Sequence, residues 1–176
     1  MASFTDRIIG TARLNQQAYE EIEADGTATS QAMGVVILSS VAGGIGSLGL
    51  GAGGLGGVIV GGIGALVAWV AWASLTYIIG TRLLPEPQTR SDLKEMMRVL
   101  GFAQSAGLAR IFGIIPGVGP LVLGITSIWM LVAMVVAVRQ ALDYTSTWRA
   151  VAVCIVGWVV AGVITVLLVG SGSAGG

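Results

Sequence analysis

LVLGITSIWMLVAMVVAV, residues 121–138, is a run of eighteen uncharged and mostly apolar residues. About 20 residues rising ~1.5 Å each cross a hydrocarbon core of ~30 Å, so the run predicts a transmembrane helix. It begins after a tight Pro116-Gly117-Val118-Gly119-Pro120 turn and stops at Arg139, Gln140, Asp143 and Tyr144. That polar cluster supplies the end that faces water.

The composition around this run agrees with it. Charged side chains make up 10% of the chain and apolar ones 55%, and 28 of 176 residues are glycine. A soluble domain carries roughly a quarter charged residues, and so few could not cover its surface. The nine basic and nine acidic side chains cancel, so no global field draws in nucleic acid. The chain has no histidine and one cysteine, Cys154, inside an apolar run. Disulfides, Cys/His zinc sites and histidine-based catalysis are thereby excluded, and no cofactor or metal is expected. Cys154 reads as a small buried hydrophobe.

Residues 3–24 carry Phe4, Ile8, Thr11/Ala12, Tyr19 and Ile22 at three- and four-residue steps, with Ser3 and Asp6 spaced as a capping box. They predict one amphipathic cytoplasmic helix within residues 1–26, packed on the protein's own face or offered to a partner. Glu20, Glu21, Glu23 and Asp25 oppose a flat-lying membrane anchor, since anionic headgroups repel them. This acidic, polar segment has no apolar core of the kind a cleavable signal needs.

The 56 residues between Asp25 and Arg82 carry no charge. As one helix they would extend about 84 Å, so they must fold back. A first span over 31–50, a glycine turn over 51–57 and a second span over 58–83 follow, the last ended by Pro85 and Pro87. Gly49, Gly53, Gly57 and Gly61, then Ala65, recur every four residues, a ladder suited to close helix packing or self-association. Gly44-Ile-Gly46-Ser-Leu-Gly49 matches a dinucleotide fingerprint, but no strand precedes it and no acid follows at the required distance. A third span over 96–115, with Ser91 as N-cap, is lined by Gly101, Ala103, Ser105, Ala106, Gly107 and Ala109 and so packs among other helices. The opening run is the fourth span and 150–169 the fifth, with Trp148 placed at the interface and Trp158 in the interior. The Gly/Ser tail 170–176 has no means of ordering itself. The expected fold is thus all-α: a polytopic membrane bundle of five transmembrane helices over 27–169 behind the N-terminal helix.

Eight of the nine basic residues and every acid fall in three segments: the N-terminal one, the loop after span two and the loop after span four. The positive-inside rule makes that set cytoplasmic, with the N-terminus inside and the C-terminus outside. Arg110 is the exception, twelve residues beyond Arg98 and therefore about 18 Å deep on a helix. Its cost there is at least ~2.5 kcal/mol unless relieved. Snorkelling outward would relieve it. So would Gln104, Ser105, carbonyls near Pro116, a lipid phosphate or an acid of another subunit, because helical side chains lean toward the N-terminus.

ArgValLeuGlyPhe at 98–102, IleIleProGlyValGlyPro at 114–120, AlaValArgGlnAlaLeuAspTyr at 137–144 and AlaTyrGluGluIle at 18–22 together resemble the bacterial branch of the Yip1-domain membrane proteins. The resemblance runs over about 14–169, and the segment ending AlaLeuAspTyr is its most specific part. It implies a five-span protein of a bacterial cytoplasmic membrane, related to eukaryotic endoplasmic reticulum and Golgi proteins that bind prenylated Rab GTPases. The acidic-tyrosine-glycine-proline motif of those relatives is absent, so Rab binding does not carry over.

Two functions follow as expectations. One is a non-enzymatic organiser, scaffold or assembly factor that docks a membrane-protein partner, or a second copy, through 82–98 and 139–149. The other is a lipid-handling or small-solute pathway. Coupled transport is disfavoured because no carboxylate lies at membrane depth, and no nucleophile–base set supports an enzyme. The candidate partner or lipid contacts are Arg98, Arg110, Arg139, Asp143 and Tyr144, with Arg139 and Asp143 spaced to pair on one helical face.

Overall fold

The computed structural model describes residues 2–48, 50–51 and 55–173, excluding the side chains of 55–57 and 167–173. Among these residues the chain is helical with no strand. Four helices are long and apolar enough to cross a membrane: Ala28–Leu48, Val58–Leu83, Gly119–Ala141 and Thr147–Val166. The third expected span is not one of them. It divides into α5, Leu93–Ala103, and a 3-10 helix, Gln104–Ile114. Its N-cap is Asp92 in a capping box with Glu95 rather than Ser91.

This broken segment nevertheless runs the length of α3 (Ala28–Leu48). A Cβ on Gly101 would meet Ala32, one on Gly107 would meet Ser39, and Gly113 lies against Gly46. Eleven α residues at ~1.5 Å and eleven 3-10 residues at ~2.0 Å cover about 38 Å, enough to match a full span without a continuous α-helix. Glycine is required at 46, where an added Cβ would overlap the backbone carbonyl of Arg110. The chain therefore traverses the bundle five times. α3 runs out, α4 (Leu55–Ile78) back, the α5/3-10 segment out, α6 (Gly119–Ala141) back and α7 (Thr147–Ser173) out again.

The expected N-terminal helix is two. α1, Phe4–Ala12, keeps the Ser3/Asp6 capping box, and α2, Gln16–Ala24, starts at an Asn15 cap. Between them Leu14 is left-handed, with φ 59°. Asn15 N–H donates to Gly10 O and Leu14 N–H to Thr11 O, the paired bonds that end a helix and reverse the chain. Gly10 lets α2 close in, because a side chain there would meet the Ala18 methyl. The hairpin lies along the bundle. Thr11 and Ser105 hydroxyls are 3.0 Å apart, Trp129 Nε1 donates to Ala12 O at 2.8 Å, and Phe4 stacks edge-on against Phe102.

The expected glycine ladder is only partly open to view. Gly49 and Gly53 lie outside the described residues, as do the surroundings of Gly57, and Gly61 approaches Ser40 of α3 at ordinary contact distance. α3 ends at Leu48 and α4 begins at Leu55. α7 continues to Ser173, so the expected structureless tail begins within a helix, and 174–176 lie outside the described residues. Trp158 is half-exposed and meets Trp72 edge-on. Cys154 is buried.

Candidate functional site

The charged end is built by three connections that consume most of their own polar groups. Arg7 is buried and pairs with Asp25 at 2.6 Å and with Gln31 Oε1 at 3.0 Å, tying α1 to the start of α3. The Thr27 hydroxyl, then Arg7, hold the Asp25 carboxyl down to about 2. Arg98 is buried and donates from Nε to Ile22 O at 3.2 Å and from Nη2 to Glu23 O. It therefore closes the C-terminal carbonyls of α2 onto α5, as a cation at a helix C-terminus does.

Arg139 and Asp143 do not pair. α6 ends at Ala141, Leu142 is its cap and Asp143 is left-handed at φ 51°. Tyr144 N–H donates to Arg139 O at 2.9 Å and Asp143 N–H to Gln140 O at 3.0 Å, which turns the chain before the four-residue spacing can act. Arg139 instead reaches forward, Nε to Tyr144 O at 3.2 Å. Tyr144 is buried, with its hydroxyl on the carbonyls of Gly80 and Leu84. Gly80 belongs to a π turn, Ile79–Leu83, that extends α4, and Leu84 caps it. A π turn leaves carbonyls without their usual i→i+4 donors, and the Tyr144 hydroxyl supplies one.

Glu86, which sequence reading had only as one acid of a loop, joins the two loops of this end. It accepts from Thr145 N at 3.0 Å, from Thr145 Oγ1 at 2.8 Å and from Gln88, and lies 3.4 Å from Arg149. The Thr145 N–H bond is the main reason its carboxyl sits below the ordinary range. Asp92 and Glu95 are used in their capping box. Arg82, Arg90 and Lys94 remain exposed. Burial, followed by the negative charges of Asp143 and Glu95, pushes Glu23 up to about 7, against the pull of Arg98.

Arg110 leaves the 3-10 segment toward the bundle interior. Its side chain passes Gly43 of α3, and its Nη2 donates to Ser127 Oγ of α6 at 3.0 Å. Its Nε is buried without an acceptor. Gln104 lines the same cavity of about 300 Å3, together with Ser39 and Ser40. Ser105, an expected partner, is taken by Thr11. Ser127, Ser39 and Ser40 were not singled out in the sequence. Their signal is weak but real: they are among the few hydroxyls in otherwise apolar runs.

Gly107 sits where any side chain would meet Ser39 and Met130, and Gly101 faces Ala32 and Trp69, whose Nε1 donates to Met97 O at 3.0 Å. After Pro116, Gly117 takes φ 84°, Gly119 packs on Gly113 O and Leu50, and Pro120 falls in the first turn of α6. A proline there has no N–H to waste.

No curated protein and no solved structure matches this chain. The model of the Yip1 domain matches residues 15–168, which takes in α2 and all five passes through the bundle, and the chain therefore belongs to the Yip1 family of membrane proteins.

Proposed function

We propose that this protein is a non-enzymatic membrane organiser that docks an acidic partner at the edge of its cytoplasmic face. The reading places it in a bacterial cytoplasmic membrane, crossing five times, with the α5/3-10 segment as the third crossing, its N-terminus inside and its C-terminus outside. One observation carries it. Between α4 and the first turn of α5 the acids Glu86, Asp92 and Glu95 are used internally, whereas the side chains of Arg82, Arg90 and Lys94 form no ion pair or hydrogen bond among the described residues. What looks balanced in sequence presents three free cations at the headgroup level.

Exposed charges set encounter and register more than affinity, so such contacts are expected to weaken with salt. Affinity purification of the full chain from its native membrane tests this. Wild type is expected to retain an acidic partner that the combined Arg82→Gln, Arg90→Gln, Lys94→Gln variant loses at equal protein level. Equal recovery by the variant contradicts the reading. The lipid-handling alternative is favoured by a different observation, the guanidinium of Arg110, which has a neutral hydroxyl and no carboxylate as its partner.

A further inference from the structure

Arg110 is a cation in an apolar bundle with one neutral partner, Ser127. The ion pairs among the described residues, Arg7–Asp25 and Glu86–Arg149, both lie at the charged end, and no carboxylate reaches Arg110. A desolvated guanidinium left in that state is expensive, and the usual compensation is an anion that accepts from several of its five donors. Ser39, Ser40 and Gln104 around the same cavity add two hydroxyls and an amide able to hold further oxygens.

The cavity does not end there. Through Ala65 and Gln104 it adjoins a second one of about 390 Å3, lined by Trp69, Trp72, Trp158, Met130 and Met134 among other residues. Through Met134 and Trp158 that space adjoins a groove of about 390 Å3 between α6 and α7, bounded by Leu131, Ile155 and Val159. Each volume falls in the range of roughly 300–1,000 Å3 typical of small-molecule sites. Trp72 Nε1, on the apolar wall, is a second buried donor without an acceptor.

The order of these parts matters. Arg110 lies beside Gly43 and Gly46, near the end of α3 at Leu48, so it is close to the uncharged end. The tryptophan-lined space lies further toward the charged end, where Trp69 bonds Met97 of α5. A polar, cationic head site near one surface, followed by an apolar channel toward the middle, matches the orientation of a lipid in the leaflet at that surface.

We infer that the bundle holds an anionic acyl lipid, its acidic headgroup on Arg110 and its chain in the tryptophan-lined cavity, open to the bilayer between α6 and α7. The Trp72 N–H is placed for an ester carbonyl along the chain. Arg110 is a binding residue in this account, and Ser127 is a positioning residue that holds the guanidinium in the cavity. The site is separate from the cytoplasmic edge, so the Arg82, Arg90, Lys94 variant is expected to leave it unchanged.

Native mass spectrometry of the full chain, delipidated and then incubated with lipid in detergent, tests this. Wild type is expected to retain one phosphatidylglycerol at a concentration at least tenfold below that needed for phosphatidylcholine of the same chains. Arg110→Gln is expected to abolish that preference. Arg110→Lys, which keeps a cation in the cavity, is expected to keep a preference for the anionic lipid, so that a loss confined to Arg110→Gln is not one of folding. Competition by oleate would show that a carboxylate head suffices and supports an acyl anion in general; failure of oleate to compete would assign the phosphate head. Competition by inorganic phosphate alone at equal concentration would overturn the role of the chain. Equal retention of both lipids by wild type, or an unchanged preference in Arg110→Gln, would overturn the proposal whether or not the cytoplasmic edge binds a partner.

Discussion

The Tyr144 hydroxyl lies 3.0 Å from the carbonyl oxygen of Gly80 and 2.6 Å from that of Leu84, joining the loop after α6 to the π turn that ends α4. A side chain would not fit at Gly80, where Leu142 already occupies the space. Burial pushes the Tyr144 hydroxyl up to about 12, so it remains a neutral donor through the working pH range. Tyr144→Phe is expected to cost about 1–2 kcal/mol, the penalty for leaving buried carbonyls unpaired. In a detergent melt that corresponds to a fall of roughly 2–8 °C.

Asp143 occupies the left-handed position that ends α6, at φ 51°. Glycine adopts this conformation without steric cost, and aspartate tolerates it better than branched residues. Asp143→Gly is expected to raise stability by about 1 kcal/mol, and Asp143→Val to lower it by at least as much. Thermal melts of both variants check the pair of signs. An Asp143→Gly protein that lost stability would show that the carboxylate, and not the backbone, holds the turn.

Glu23 gives the protein a pH response. Its carboxyl is pushed up to about 7, chiefly by burial, from an ordinary value of 4.5. The folded chain therefore binds an extra proton, stabilising it below the ordinary value, and this contribution is lost as pH rises through about 7. Asp25 and Glu86 are shifted down and act only below the ordinary carboxylate range, so they do not offset it. The melting temperature is expected to rise by a few degrees from pH 8 to pH 5.5. Glu23→Gln should flatten that slope.

Two glycine substitutions separate packing from mere composition. Gly46→Ala drives a methyl into the backbone of Arg110, which cannot move aside, whereas Gly62 on α4 has nothing within 4 Å of an added Cβ. The first is expected to cost about 1–3 kcal/mol. The second is expected to be neutral or to gain up to roughly 1 kcal/mol from helix propensity. Similar losses at both positions would show that Gly62 also meets a packed surface.

The membrane class was legible because charge is excluded from long runs, and the ends of α4 and α6 followed from Pro85 and Arg139. The N-terminal hairpin was not, because its break rests on Leu14 taking a left-handed conformation that its own side chain disfavours and that packing imposes. Asn15 and Gly10 were the readable signs, and the apolar spacing across them masked both. The third pass kept its length but not its helix type, since 3-10 geometry over 104–114 depends on contacts with Gly46 and Ser39 that no local pattern records. Arg110 was legible as an anomaly from depth alone. Its partner Ser127 was not, because that meeting depends on the register between the 3-10 segment and α6.

That third pass is the centre of the account. Four continuous helices qualify as membrane spans, and an even number of crossings would return the C-terminus to the side of the N-terminus. With the α5/3-10 segment as a fifth, the two ends lie on opposite sides. A reporter enzyme active only outside the cytoplasm, fused after Gly176, decides between them, with a fusion within 88–91 as the cytoplasmic control. Activity after Gly176 and silence at 88–91 is the predicted result; silence at Gly176 in a stable, membrane-inserted fusion would contradict the five-pass bundle and the lipid site built within it.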